Sequence, residues 1–246
     1  MKTLQTFALS MLLAATSAFS ATTAAAPPAP ASGVMPALTH AWSPEEIIAA
    51  AELTAVKTQL PTYATPDGKA FFDRLTATDY FTALTDPKVP LKTRIHQSAE
   101  MFRANGQLLV TYAHAADRGQ AGHAEVTALD VQEMRFASMY AILVNQVFAT
   151  ANPKDPKVVT VKANLDSGFA TLCATTLKIL QLPHFMAPND VTYELQALDT
   201  TIVRMNMFFT PATRTTLSQQ LTALRPQLPN AGDQKLVDHI VKTLAA

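Results

Sequence analysis

Cysteine, net charge and long apolar runs are all scarce in this chain. Cys173 is the only cysteine among 246 residues, so no internal disulfide can form. We expect a buried free thiol, with intermolecular pairing as the alternative. Lysine plus arginine and aspartate plus glutamate both number 19, so no basic field is available for nucleic acid or an anionic membrane. Beyond the N-terminal segment, no apolar run is long enough to span a bilayer.

The common signatures of catalysis and cofactor binding are also missing. The sequence has no Cys-x-x-Cys-His, Glu-x-x-His, His-Glu-x-x-His, Gly-x-Ser-x-Gly, P-loop or Gly-x-Gly-x-x-Gly motif. The methionines at 101, 134, 139, 205 and 207 form no Met-x-x-Met pair, and we expect them to pack in the core rather than bind copper. No catalytic residue, cofactor or metal is therefore predicted.

The N-terminal residues follow the pattern of a secretory signal peptide. Lys2 precedes an apolar run from Phe7 to Ala15, and a stretch of small residues follows. Cleavage is expected after Ser20, with the alanines at 24–26 as a competing site. This predicts a signal peptide at 1–20, a disordered Ala/Thr/Pro-rich leader at 21–42 and a single helical domain at 43–246. The mature protein is expected to be periplasmic or secreted.

Glycine and proline divide the predicted domain into helices. Ser43 and Glu46 have the spacing of a capping box around Pro44. Apolar residues recur at helical spacing and do not alternate as they would in strands. The predicted helices span 44–60, 69–85 with a break near Thr76, 90–117, 123–151, 156–182, 190–209, 213–224 and 233–244. Short connections then predict an all-α fold, an up-down antiparallel helical bundle with additional short flanking helices.

One polar stripe follows the first long helix. It contains His96, Glu100 and Arg103, and the first two have the i, i+4 spacing of a metal-binding pair. The stripe points away from the apolar arc of its helix, however. This placement predicts a solvated, ion-paired surface.

Two carboxylates on the second long helix are less easily explained. Glu133 falls within the apolar stripe, and Asp130 lies one turn earlier. A carboxylate in an apolar setting needs a partner or has a raised pKa. Polar residues that flank the core stripes of other helices complete a candidate ligand-binding set of Asp130, Glu133, Asn105, Lys162 and Glu194. The alternative is that Glu133 pairs with a basic residue such as Lys162, or lies at an exposed helix end.

These observations favour an exported, non-catalytic binding or adaptor protein. A helix face offers a surface for a protein partner without special residues. The alternative is a small-ligand or metal carrier, or an enzyme, that uses polar residues inside the bundle. A small-molecule ligand fits either hypothesis. Nucleic acid and an integral membrane segment are not expected.

Overall fold

A computed structural model gives the structure of this chain and describes residues 42–119, 121–181 and 188–246. Across these ranges the fold is all-helical, as predicted, and contains no strand. The predicted signal peptide, and the leader up to residue 41, lie outside the described residues. The helices are α1 (Pro44–Ala55), α2 (Pro66–Leu75), α3 (Phe81–Thr85), α4 (Leu91–Asp117), α5 (His123–Phe148), α6 (Pro156–Leu180), α7 (Pro188–Met205), α8 (Pro211–Leu224) and α9 (Ala231–Ala245).

Side-chain caps start many of these helices. At α1 the predicted capping box is confirmed: the Ser43 amide donates to Glu46 Oε2 at 2.7 Å, and the Glu46 amide donates to Ser43 Oγ at 3.2 Å. Side chains that accept a bond from the first turn also cap α2, α6, α8 and α9, and they belong to Thr65, Asp155, Thr210 and Asn230. Local sequence therefore determines where these helices begin.

The first predicted helix was too long. It ends at Ala55 rather than residue 60, and α2 begins at Pro66 rather than 69. Tertiary bonds hold the connecting segment as a loop: the Tyr112 hydroxyl donates to the Pro61 carbonyl at 2.5 Å, and the Tyr63 amide donates to Glu125 Oε1 at 2.7 Å. The predicted break near Thr76 is confirmed, because α2 ends there and α3 starts at Phe81.

The later helix ends also differ from the predictions. Helix α5 ends at Phe148 instead of 151, and α6 ends at Leu180, with residues 182–187 outside the described ranges. Helix α7 ends at Met205, and a 3-10 turn at Asn206–Phe208 replaces its predicted last turn. There the Asn206 amide group donates to the Thr243 carbonyl of α9 at 2.9 Å, so packing against α9 competes with a continuing α-helix. Helices α8 and α9 each begin two residues earlier than predicted.

Helix α5 is the central element of the fold. It contacts α2, α4, α6 and α7, and most of its residues are buried. Helix α4 packs against α1 and α3, and α9 packs against α7 and α8. Trp42 is the last residue of the predicted leader, and it is buried with its ring edge-on to Phe71. None of the helices in the described ranges combines the length and hydropathy of a membrane-spanning segment.

Candidate functional site

The first part of the candidate site joins α4 to α5 through Asn105 and Glu133. Both side chains are buried, and Asn105 Nδ2 donates to Glu133 Oε2 at 2.6 Å and to the Leu129 carbonyl at 3.0 Å. The neighbouring Gly106 leaves room for the carboxyl group, since a Cβ added there would lie 2.8 Å from Glu133 Oε1. Glu133 is therefore a buried carboxyl group that is bonded to another helix.

The second part of the candidate site joins α5 to α6 and α7 through Asp130. The Thr176 hydroxyl of α6 donates to Asp130 Oδ2 at 2.9 Å. Asp130, Thr176 and Glu194 of α7 are all fully buried. Among the described residues, no amide, hydroxyl or basic group donates to Asp130 Oδ1 or to either oxygen of Glu194. The two carboxyl groups lie close enough to affect each other's pKa.

Burial without a counter-charge dominates the electrostatics of this cluster. Desolvation raises the pKa of Asp130. Its interactions with Glu194 and Thr176 offset part of that rise. Desolvation also raises the pKa of Glu133 and of Glu194 well above the usual value, and the nearby charge of Asp130 adds to both shifts. Burial thus favours the protonated form of each side chain, and we call Asp130, Glu133 and Glu194 the buried carboxyl cluster.

Lys162 does not join this cluster. It lines a separate surface groove, of about 510 Å³, beside Asp166 and the exposed Val159 and Met207. The structure thus brings together four of the five predicted residues, and Glu133 is bonded to an amide rather than to a lysine. The alternatives of a lysine pair and of an exposed helix end for Glu133 are both wrong. Met207, expected in the core, is 48% exposed.

The buried carboxyl cluster is enclosed by the core. Its three side chains are at most 5% exposed, and they line none of the surface grooves described here. Within the described ranges, no three His, Cys, Asp or Glu side chains are grouped so as to hold a metal ion. Access to solvent would require α5, α6 and α7 to separate locally.

Sequence reasoning missed two side chains that adjoin Asp130. Thr176 and Cys173 both lie on the buried face of α6. Burial and the charge of Asp130 raise the pKa of the Cys173 thiol to about 12, which leaves it protonated and unreactive near neutral pH. Thr176 lies on the apolar stripe of α6 that includes Leu172 and Leu180. A polar residue on that stripe was the sequence signal for a buried hydrogen bond.

The polar stripe of α4 is an ion-paired surface, as predicted. Arg103 forms salt bridges to Glu100 on the same helix and to Glu52 on α1. His96 is exposed. Because the pairs are near the surface, they contribute little to stability.

A groove that sequence reasoning did not identify lies between α5 and α7. Residues at helical spacing on the facing sides of both helices line it, Phe81 of α3 adds an aromatic wall, and its volume is about 330 Å³. We call it the Arg135 groove, and its helical lining residues are Arg135, Ser138, Met139, Ile142, Tyr193, Gln196, Ala197, Thr200, Thr201 and Arg204. The available signal was on α7, where Tyr193, Gln196, Thr200 and Arg204 follow one another at spacings of three and four.

Comparison with protein-family models, with curated proteins and with solved structures finds no match to this chain. Any functional conclusion therefore rests on the geometry of its own residues.

Proposed function

We propose that this chain is an exported, non-catalytic binding protein of the periplasm or the extracellular space. The proposal of export rests on the basic, apolar and small-residue segments of residues 1–20, which match a cleavable signal. The mature protein would begin at Ala21, with a leader that precedes the helical domain. An adaptor that binds a protein partner through a helix face belongs to the same proposal.

We further propose that the long helices form an up-down antiparallel bundle, with shorter helices around it. Asn105 and Glu133 are bonded at similar chain distances from the turn between α4 and α5. Thr176 and Asp130 have the same relation to the turn between α5 and α6. Such symmetric pairing about short turns supports antiparallel neighbours. A bundle of this kind places binding grooves between its surface helices.

The observation that carries the binding proposal is the contrast between the interior and the surface. The carboxyl groups capable of acid–base chemistry are enclosed in the core, where a substrate has no described route to them. The Arg135 groove, by comparison, is open to solvent and combines apolar, hydroxyl and guanidinium groups. Ligand sites combine apolar surface with polar groups that orient the ligand, and this groove offers both.

One observation favours the alternative of a carrier or enzyme that uses the interior. Asp130 Oδ1 and the two Glu194 oxygens receive no hydrogen bond from an amide, hydroxyl or basic group of the described residues. A bound cation would satisfy these oxygens. This alternative predicts a ligand whose retention depends on Glu194 rather than on Arg204.

The experiment is intact and native mass spectrometry of the full chain after expression and export in a bacterium. Cleavage after Ser20, and a retained organic molecule or protein partner, are the expected results. The matched variants are Glu194→Gln in the interior and Arg204→Gln in the groove. A stoichiometric metal that is lost only from Glu194→Gln would replace the proposal with the carrier alternative. An uncleaved chain that stays in the cytoplasm would overturn the export proposal.

A further inference from the structure

The Arg135 groove carries two positive charges and no negative one. Arg135 and Arg204 are its charged lining residues, and none of the residues that line it is a carboxylate. The nearby Asp199 of α7 is bonded to His239 of α9 at 2.8 Å. In a chain with no net charge, two guanidinium groups in one small groove form a local positive site.

Arg135 is held in place before any ligand arrives. It donates to the Thr76 carbonyl at 3.1 Å and to Gln132 Oε1 at 3.4 Å, and it donates to the Tyr193 hydroxyl at 2.8 Å. Its guanidinium also lies over the Tyr193 ring, 5.6 Å from the centroid. An arginine has five N–H groups, so these three bonds leave two donors without a partner among the described residues. A side chain that is already ordered loses little entropy on binding a ligand.

Arg204 supplies a second, freer cation. It is exposed, and within the described ranges it has no hydrogen bond or ion pair. Tyr193 and Arg204 are three helical turns apart on α7, which is roughly 16 Å along the helix axis. The two guanidinium groups therefore belong to opposite ends of the groove.

The wall of the groove between these ends has an apolar part and a polar part. Phe81, Met139 and Ile142 form the apolar part, and Ser138, Gln196 and the threonines at 200 and 201 add polar groups. Its volume of about 330 Å³ lies at the lower end of the range of roughly 300–1,000 Å³ for ligand sites. This size and lining fit a small molecule with an apolar body.

We infer that the Arg135 groove binds a small organic carboxylate with an apolar body, its charge held by the exposed guanidinium of Arg204 and its body packed on Phe81, Met139 and Ile142. Guanidinium groups bind carboxylates through paired, charge-assisted hydrogen bonds. The matching neutral amide would leave the guanidinium donors with a weaker acceptor. The inference rests on the proposed binding function and specifies its ligand class.

The test is calorimetric titration of the mature protein with benzoate and hexanoate, against benzamide and hexanamide as neutral controls. Inorganic phosphate is the control for charge without an apolar body. We expect one carboxylate per chain to bind, and Arg204→Gln to weaken that binding about tenfold, the usual effect of removing one charge-assisted hydrogen bond. Lys178→Gln removes an exposed cation on α6, outside the groove, and is expected to leave binding unchanged.

Three outcomes would overturn the inference. The first is equal binding of the acids and their amides. The second is that Arg204→Gln binds the carboxylates as tightly as Lys178→Gln does. The third is phosphate binding as tight as that of the organic acids, which would indicate a site for charge alone. If carboxylates fail but the purified protein retains a neutral molecule or a protein partner, the binding function stands and only the ligand class is wrong.

Discussion

The carboxyl group of Glu133 on α5 lies where a side chain at position 106 of α4 would begin. A Cβ on Gly106 would be 2.8 Å from Glu133 Oε1, while Glu133 Oε2 accepts the Asn105 bond at 2.6 Å. Glycine inside a helix usually costs about 1 kcal/mol relative to alanine. Here that cost is offset by the space that the carboxyl group needs.

We predict that the effect of Gly106→Ala on stability depends on Glu133. In the wild-type chain the new methyl group displaces a bonded carboxyl group, so the free energy of unfolding falls by about 1–3 kcal/mol. In a Glu133→Ala background the space is empty, and the same substitution gains helix propensity and stabilises the fold. A double-mutant cycle by urea unfolding measures the coupling. Additive effects within about 0.5 kcal/mol would contradict the proposed contact.

The fold was more predictable from sequence than the site, for a physical reason. Helix starts depend on local groups such as Ser43 and Glu46, whose spacing is visible in the sequence. The end of α1 depends instead on Tyr112 and Glu125, which hold the 56–65 loop from distant parts of the chain. A single sequence does not reveal such long-range bonds.

The same distinction applies to the candidate site. A carboxylate on an apolar stripe identified Glu133 as buried, but only the three-dimensional arrangement of α5, α6 and α7 pairs Asp130 with Thr176 and Glu194. Lys162 flanks an apolar stripe in the same way and yet faces a surface groove. Periodicity predicts which side of a helix is buried. It does not predict which other helix packs against that side.

We predict that stability decreases as the pH rises from mildly acidic to alkaline. In the unfolded chain the three carboxyl groups of the buried cluster titrate near pH 4, whereas in the folded chain each pKa is raised. Above pH 4 the folded state therefore binds more protons than the unfolded state. The free energy of unfolding then falls by roughly 1.4 kcal/mol per pH unit for each proton retained, until the folded-state pKa is passed.

Urea unfolding midpoints measured between about pH 5 and pH 8 check this prediction. Glu133→Gln and Glu194→Gln are each expected to flatten the profile, because the glutamine does not titrate. Asp238→Asn is the matched control and is expected to leave the slope unchanged, because the bond to Arg225 lowers the pKa of that exposed carboxyl group and it is ionised in both states over this range. A profile with the same slope in the wild type and in both glutamine variants would show that the cluster does not retain its protons.

We predict that Cys173 does not react with a disulfide reagent in the folded protein. The thiol is buried on α6 and its pKa is raised to about 12, so both access and thiolate formation are suppressed. A thiol titration at pH 8 should find no reactive group in buffer and a single one in urea. Rapid reaction of the native chain, or a disulfide-linked dimer on a non-reducing gel, would refute the buried placement.

We predict that Tyr112→Phe loosens the loop before α2 while leaving the core packed. The phenylalanine keeps the edge-on contact with Phe72, at 5.5 Å between ring centroids, but loses the hydroxyl that donates to the Pro61 carbonyl. The expected loss is about 1 kcal/mol of stability, with faster amide hydrogen exchange across the 56–65 loop. Tyr140→Phe on α5 is the matched control. The Tyr140 ring is also buried, but its hydroxyl forms no hydrogen bond to another described residue. Equal exchange rates for the loop in the two variants would mean that the Tyr112 hydroxyl does not anchor it, and that the Tyr63 amide bond to Glu125 is sufficient to hold the segment in place.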